Sequence, residues 1–220
     1  MSLSSLRERL IDQLEPAAAW TPGRPPARSD FDLNPGAERP ERTLRPAAVL
    51  IPVIAGPEGA AVLMTRRSDS LASHTGQIAF PGGRLDPGET AIEAALREAF
   101  EEVALDPALV EVLGVGDAYE TGTGFLVTPV VGWLTARPQT TPSPDEVAEV
   151  FEVPWDFLMD PSNHSRDSYD REGQPRRWYW SMTHGQRYIW GVTAGIVRAL
   201  RTRLYGEEAL PQVAVAEDAA

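Results

Sequence analysis

The chain contains no cysteine and no lysine. Without cysteine there is no disulfide, no thiolate metal site and no cysteine nucleophile. This suits a reducing compartment, and the expected location is cytoplasmic. Without lysine no side-chain amine can form a Schiff base or act as a general base. All 20 basic residues are arginine, a bias that genomic composition alone can produce. No apolar run approaches the roughly 20 residues that span a membrane. The N-terminus, Met-Ser-Leu-Ser-Ser-Leu-Arg-Glu-Arg-Leu, lacks the apolar core of a signal peptide. Positive charge is scarce too, with a net charge of −12. That argues against nucleic acid and anionic membrane as partners. An anionic substrate would need metal ions and local arginines to reverse the field at its site.

With 220 residues, the chain suits one domain with extensions. Leu3, Leu6, Leu10, Ile11 and Leu14 follow helical spacing, so residues 3–15 are expected to form a short amphipathic helix. Residues 16–46 are rich in proline and arginine and are expected to be an extended arm, crossing its own domain or reaching a second copy in a homodimer. The division expected is an N-terminal helix and arm over 1–45, a compact domain over 46–205 and an acidic, disordered tail over 206–220. Within the domain, strands are expected at 47–54, 60–66, 77–80, 109–118, 125–135 and 147–153. A hairpin is expected around His184-Gly185, and a closing helix over 191–204. Residues 160–177 are polar and read as a loop. Strands around two helices indicate an α+β fold, an α/β/α sandwich.

Gly83–Leu105 is the most informative stretch. Asp86-Pro87-Gly88 is a turn signal. Thr90 and Glu93 make a capping-box pattern that starts a helix. Ile92, Ala95, Leu96, Ala99 and Val103 form one apolar stripe. Glu98, Glu101 and Glu102, at i, i+3 and i+4, share the neighbouring side. Like charges so close repel, so they need solvent or a cation. A hard divalent ion prefers such oxygens and bridges to phosphates. Arg97 can hold one of these carboxylates by a bidentate bond.

This stretch resembles the Nudix box, Gly-x5-Glu-x7-Arg-Glu-U-x-Glu-Glu-x-Gly-U, where U is bulky and apolar. Gly83, Glu89, Arg97, Glu98, Glu101, Glu102 and Leu105 match, Ala99 is small for its U position, and Ala104 replaces the last glycine. A left-handed conformation is often required there, and alanine would cost about 1 kcal/mol. The resemblance implies a Nudix-type α/β/α sandwich with a mixed sheet. It also implies hydrolysis of a nucleoside diphosphate derivative with Mg²⁺ or Mn²⁺. Glu98 and Glu102 would be the first metal ligands and Glu101 the third. Glu89 would support the site, and Arg97 would orient the carboxylates.

The segment before the box is similar to that of the coenzyme A pyrophosphatase branch. Leu63, Thr65, Arg67, Ser68, Gly76, Phe80, Pro81, Gly82 and Gly83 fit, while Ala72 stands where that branch has a basic residue. The implied substrate is coenzyme A or an acyl derivative, cleaved to 3′,5′-ADP and (acyl-)4′-phosphopantetheine. Another nucleotide, such as ADP-ribose or NADH, and a non-catalytic nucleotide-binding regulator are the alternatives. Arg67 can pair with phosphate, and Arg66 would face the other side of the same strand. His74 is a phosphate donor or a loop histidine. Gly82 and Gly83 admit the diphosphate or make the turn into the helix. The water's proton needs a carboxylate: Glu101 or Glu102, or, outside the box, Glu146 or Glu149. Trp178, Tyr179 and Trp180 are adenine-stacking candidates or core.

Overall fold

The structure, a computed structural model, describes residues 1–68, 76–171 and 173–207. In chain order its elements are α1 (Leu3–Gln13), β1 (Arg28–Ser29), β2 (Arg45–Gly56), β3 (Gly59–Arg67), β4 (Ile78–Ala79) and β5 (Gly82–Arg84). Then come α2 (Ala91–Val103), β6 (Glu111–Val115), β7 (Tyr119–Glu120), β8 (Phe125–Leu134), β9 (Val147–Pro154) and α3 (Trp155–Met159). The chain closes with β10 (Ser165–Arg171), β11 (Gln174–His184), β12 (Arg187–Trp190) and α4 (Val192–Tyr205).

The main sheet is mixed. β2 runs parallel to β8 and antiparallel to β3, which pairs in turn with β9. Its central strands are apolar on both faces and serve two cores by alternation, because successive side chains point to opposite sides. On β2, Ile51 and Val53 enter one core while Ala48, Leu50 and Ile54 enter the other. On β8, Val127, Val131 and Trp133 oppose Val130 and Leu134 in the same way. The first core is closed by α1, α3 and α4, the second by α2. The layers are therefore helix, sheet, helix, as expected.

Three segments depart from the sequence expectation. Residues 165–171 and 174–177 are strand, not loop: β10, β11 and β12 form a separate antiparallel sheet. One face of that sheet points outward with Asp167, Tyr169, Tyr179 and Tyr188, so its strand pattern was obscured by polar residues. Gly82–Arg84 is a strand pairing with β2 rather than a turn alone.

The proline-rich arm is packed against its own chain. β1 adds in parallel to β7, and Ser29 and Asn34 are buried. The Asn34 amide donates to the Asp30 and Trp178 carbonyls, and its oxygen accepts from Trp178 N–H. These bonds satisfy backbone groups that regular structure leaves unpaired, a role that proline content does not announce. Residues 208–220, most of the stretch expected to be disordered, lie outside the described residues.

Candidate active site

The helix α2 starts where its capping box predicts: Thr90 Oγ1 accepts from Glu93 N–H at 3.2 Å, and the Glu93 carboxylate accepts from Thr90 N–H at 2.8 Å. It buries Ala91, Ala94, Ala95, Ala99 and Val103 against β2, β3 and β8, with Ile92 and Leu96 at the edge. Four of the five are alanine. Small side chains bring the helix close to the sheet, which explains why a small residue suits position 99. The helix ends at Ala104, which holds φ 55° and ψ 31°, the only positive φ outside glycine among the described residues. The left-handed cap expected of the missing glycine is kept by alanine.

This close approach sorts the three glutamates. Glu102 is buried at 5% exposure, and its carboxylate accepts from Gly82 N–H at 3.3 Å. Glu98 is half-buried against β5, its carboxylate filling the space a side chain at Gly83 would need. A side chain at Gly82 would collide with the backbone of Ala48 and Val49. Both glycines are thus demanded by close packing, on the strand side for one and on the carboxylate side for the other. Glu101 faces out.

Arg97 ties the set together. Its Nε and Nη2 donate to Glu89 at 2.8 and 2.9 Å, a bidentate pair. Its Nη1 donates to Glu98 at 2.9 Å and Glu101 at 3.1 Å, and Nη2 also reaches the Arg84 carbonyl at 3.0 Å. The Arg97 hydrogen bonds hold the Glu89 carboxyl below the usual carboxylate range.

Glu146 reaches the site through the loop before β9. Thr141 N–H and Ser143 N–H donate to the Val103 and Glu102 carbonyls at 2.9 and 2.8 Å, pinning that loop to the end of α2. Burial pushes the Glu102 carboxyl up to about 7, and the charges of Glu98 and Glu146 push the same way. Burial also raises Glu98, where Arg97 opposes the shift and Glu101 and Glu146 add to it. Arg67 lies on the α2 side of β3, and its positive charge draws Glu102 down. The Arg67 Nε is buried without a hydrogen-bond partner, a costly state that a bound anion would relieve. Arg66, as expected, is on the opposite face, paired with Glu149 at 3.7 Å, and Glu149 is also held by Arg187 at 2.5 Å.

The structure therefore brings together Arg67, Gly82, Gly83, Arg97, Glu98, Glu101, Glu102 and Glu146. Glu149 is not among them. Nor are Trp178, Tyr179 and Trp180, which sit on β11 on the α4 side of the main sheet; Trp180 packs on the first core beneath Arg198. His74 and Ala72 lie outside the described residues.

A hard divalent cation fits the donor chemistry: carboxylate oxygens only, with Glu102 buried and Glu98 half-buried, both raised in pKa chiefly by burial and further by neighbouring carboxylates. Among the described residues no group of three or more His, Asp or Glu side chains is already arranged as a metal cage. Glu98 and Glu101 are turned to Arg97, so a cation would share or take over those oxygens.

Sequence reasoning did not foresee a cavity of about 910 Å³ at the N-terminal end of α2, roofed by the arm. It is lined in part by Trp20, Leu85 and Glu89 and is not over Glu98 and Glu102. Its wall is assembled from distant segments, and a lone tryptophan among prolines carries no periodic signal.

Residues 44–172 match the NUDIX domain family. The chain is 43% identical over 176 residues to a protein of Pectobacterium atrosepticum described as "Uncharacterized Nudix hydrolase NudL", covering 79% of this chain and 91% of that one. A protein of Escherichia coli (strain K12) with the same description is 43% identical over 174 residues, covering 78% and 89%. Among solved structures, a Nudix hydrolase from M. smegmatis, RenU, is 30% identical with a TM-score of 0.45 over 53% of this chain and 74% of that one. On the sequence match over most of its length, the chain belongs to the Nudix domain family, as a Nudix hydrolase.

Proposed function

We propose that the protein hydrolyses the pyrophosphate bond of coenzyme A or an acyl-coenzyme A, giving 3′,5′-ADP and (acyl-)4′-phosphopantetheine. The observation that carries the reading is the Thr65–Gly83 segment, whose Arg67 stands beside Glu102 with a buried, unsatisfied Nε. Its resemblance to the coenzyme A pyrophosphatase branch supports the substrate.

Glu98, Glu102 and Glu101 would hold Mg²⁺ or Mn²⁺. Such an ion, when bound, makes water more acidic and neutralises phosphate oxygens. The protein's own groups do the rest. Arg67 pairs with the diphosphate oxygens, the bidentate geometry arginine favours. Gly82 and Gly83 keep the backbone close to the carboxylates. Arg97 fixes Glu98 and Glu101 against Glu89. The attacking water gives its proton to a carboxylate at the site, for which Glu101, Glu102 and the neighbouring Glu146 are the candidates. The substrate reaches this site as a small nucleotide derivative, with no nucleic acid or membrane partner and in the cytoplasm.

The test is to incubate the pure protein with coenzyme A and Mn²⁺ and identify products by mass spectrometry, beside ADP-ribose and NADH. Formation of 3′,5′-ADP with coenzyme A preferred supports the reading. Brisk turnover of ADP-ribose or NADH without coenzyme A cleavage sinks it, and no turnover with either metal favours a binding protein.

A further inference from the structure

The cavity under the arm has the volume of a small-molecule site, about 910 Å³. Its walls are mostly apolar, with Trp20, Pro25, Pro46, Leu85, Val115 and Leu126. The indole N–H of Trp20 donates to Thr128 Oγ1 at 3.4 Å, which fastens the arm over the sheet. The charged lining residues are Glu15, Asp86, Glu89 and Asp117 against Arg24 and Arg203. Both guanidiniums are engaged: Arg24 with Glu15 at 2.6 Å, Arg203 with Asp117 and, at 2.6 Å, the Gln13 carbonyl. A phosphate entering here would meet surplus negative charge and two cations already in use. The cavity suits an uncharged, largely apolar group instead.

The cavity adjoins the catalytic carboxylates. Glu89 lines it and also holds Arg97, which holds Glu98. Thr90, another lining residue, precedes Glu98 by eight residues, or about 12 Å along α2 at 1.5 Å per residue. A pantetheine chain matches four or five extended residues in length, roughly 15 Å. A substrate with its diphosphate at Glu98 and Glu102 can therefore extend the far end of that chain into the cavity. Its phosphate-bearing nucleotide half is kept out by charge.

We propose that the cavity under the arm is the subsite for the acyl end of an acyl-coenzyme A and sets the chain-length preference of the enzyme. This rests on the coenzyme A pyrophosphatase reading above. Ala118 lines the cavity, so Ala118→Trp narrows it, while Trp20→Ala strips its roof.

The experiment compares kcat/KM for coenzyme A, acetyl-, octanoyl- and dodecanoyl-coenzyme A with Mn²⁺ in the full chain and in each variant, with melting curves as a check on folding. In the wild type, octanoyl-coenzyme A should exceed coenzyme A by about tenfold or more, mostly through KM, as burial of a few methylenes gives. Ala118→Trp should bring that ratio towards one, and Trp20→Ala should lower it. If all chain lengths are cleaved equally by the wild type, or if both folded variants keep its ratio, the acyl subsite is overturned while the pyrophosphatase reading stands. If no coenzyme A derivative is cleaved, both fall.

Discussion

The Glu98 carboxylate lies where a side chain at position 83 would be, so the bare backbone of Gly83 is what lets a candidate metal ligand approach β5. Gly83→Ala should push Glu98 out of place. Turnover should fall at least tenfold, on the order expected when a catalytic group is misplaced by an ångström or less. Half-saturation by Mn²⁺ should move to higher concentration. Wild-type metal dependence in a folded Gly83→Ala protein would contradict this arrangement.

Glu102 should trade stability for activity. Its folded carboxyl is raised from 4.5 to about 7 in the metal-free protein. Below pH 4.5 both folded and unfolded states are protonated, and the favourable contribution is complete. Between 4.5 and 7 only the folded state holds the proton, so that contribution is lost as pH rises. Glu102→Gln removes this loss, and the variant should gain on the wild type by on the order of 1–3 kcal/mol between pH 5 and pH 8. Its turnover should drop at least 100-fold, the scale of losing a general base. Denaturant melts at the two pH values and steady-state kinetics check the two halves. A stability difference that does not grow with pH rejects the buried-carboxylate account, and near-normal turnover rejects the catalytic role.

Arg97→Lys keeps the charge but cannot span Glu89, Glu98 and Glu101 together. Its kcat should fall by roughly tenfold to 100-fold through loss of carboxylate positioning. Its melting temperature should also fall, since Glu89 loses its bidentate partner. Unchanged kinetics would mean that the network is structural only.

Ala104→Gly should raise stability by about 1 kcal/mol, because a left-handed cap strains alanine and not glycine. Activity should not change, as the site is formed by the side chains of the preceding turn. A neutral or destabilising result in chemical denaturation would argue against the left-handed cap.

Much of the site was legible because it is local. The capping box, the spacing of Glu98, Glu101 and Glu102, and Arg97 within the same helix all follow from 3.6-residue geometry. The opposite placement of Arg66 and Arg67 follows from the strand period of two. Spacing makes the three glutamates neighbours, but it does not say how deeply each is buried. The hairpin of β11 and β12 is as expected, whereas β10 and the start of β11 are hidden because polar residues on a solvent-facing strand mimic a loop. The path of the arm is not legible in the sequence because its anchors are single contacts, such as Asn34 with Trp178, between residues far apart in the chain.

By itself, the sequence determined the helix, its cap, the strand alternation that serves two cores and the family. Each depends on nearest neighbours along the chain. Only the tertiary structure decided that Glu102 is buried and Glu101 is not, that Gly83 makes room for Glu98, and that the arm roofs a cavity ending at Glu89. These depend on how closely an alanine-faced helix settles on its sheet and on which distant segments then meet. Burial and charge are properties of that meeting, so no local pattern in the chain could encode them.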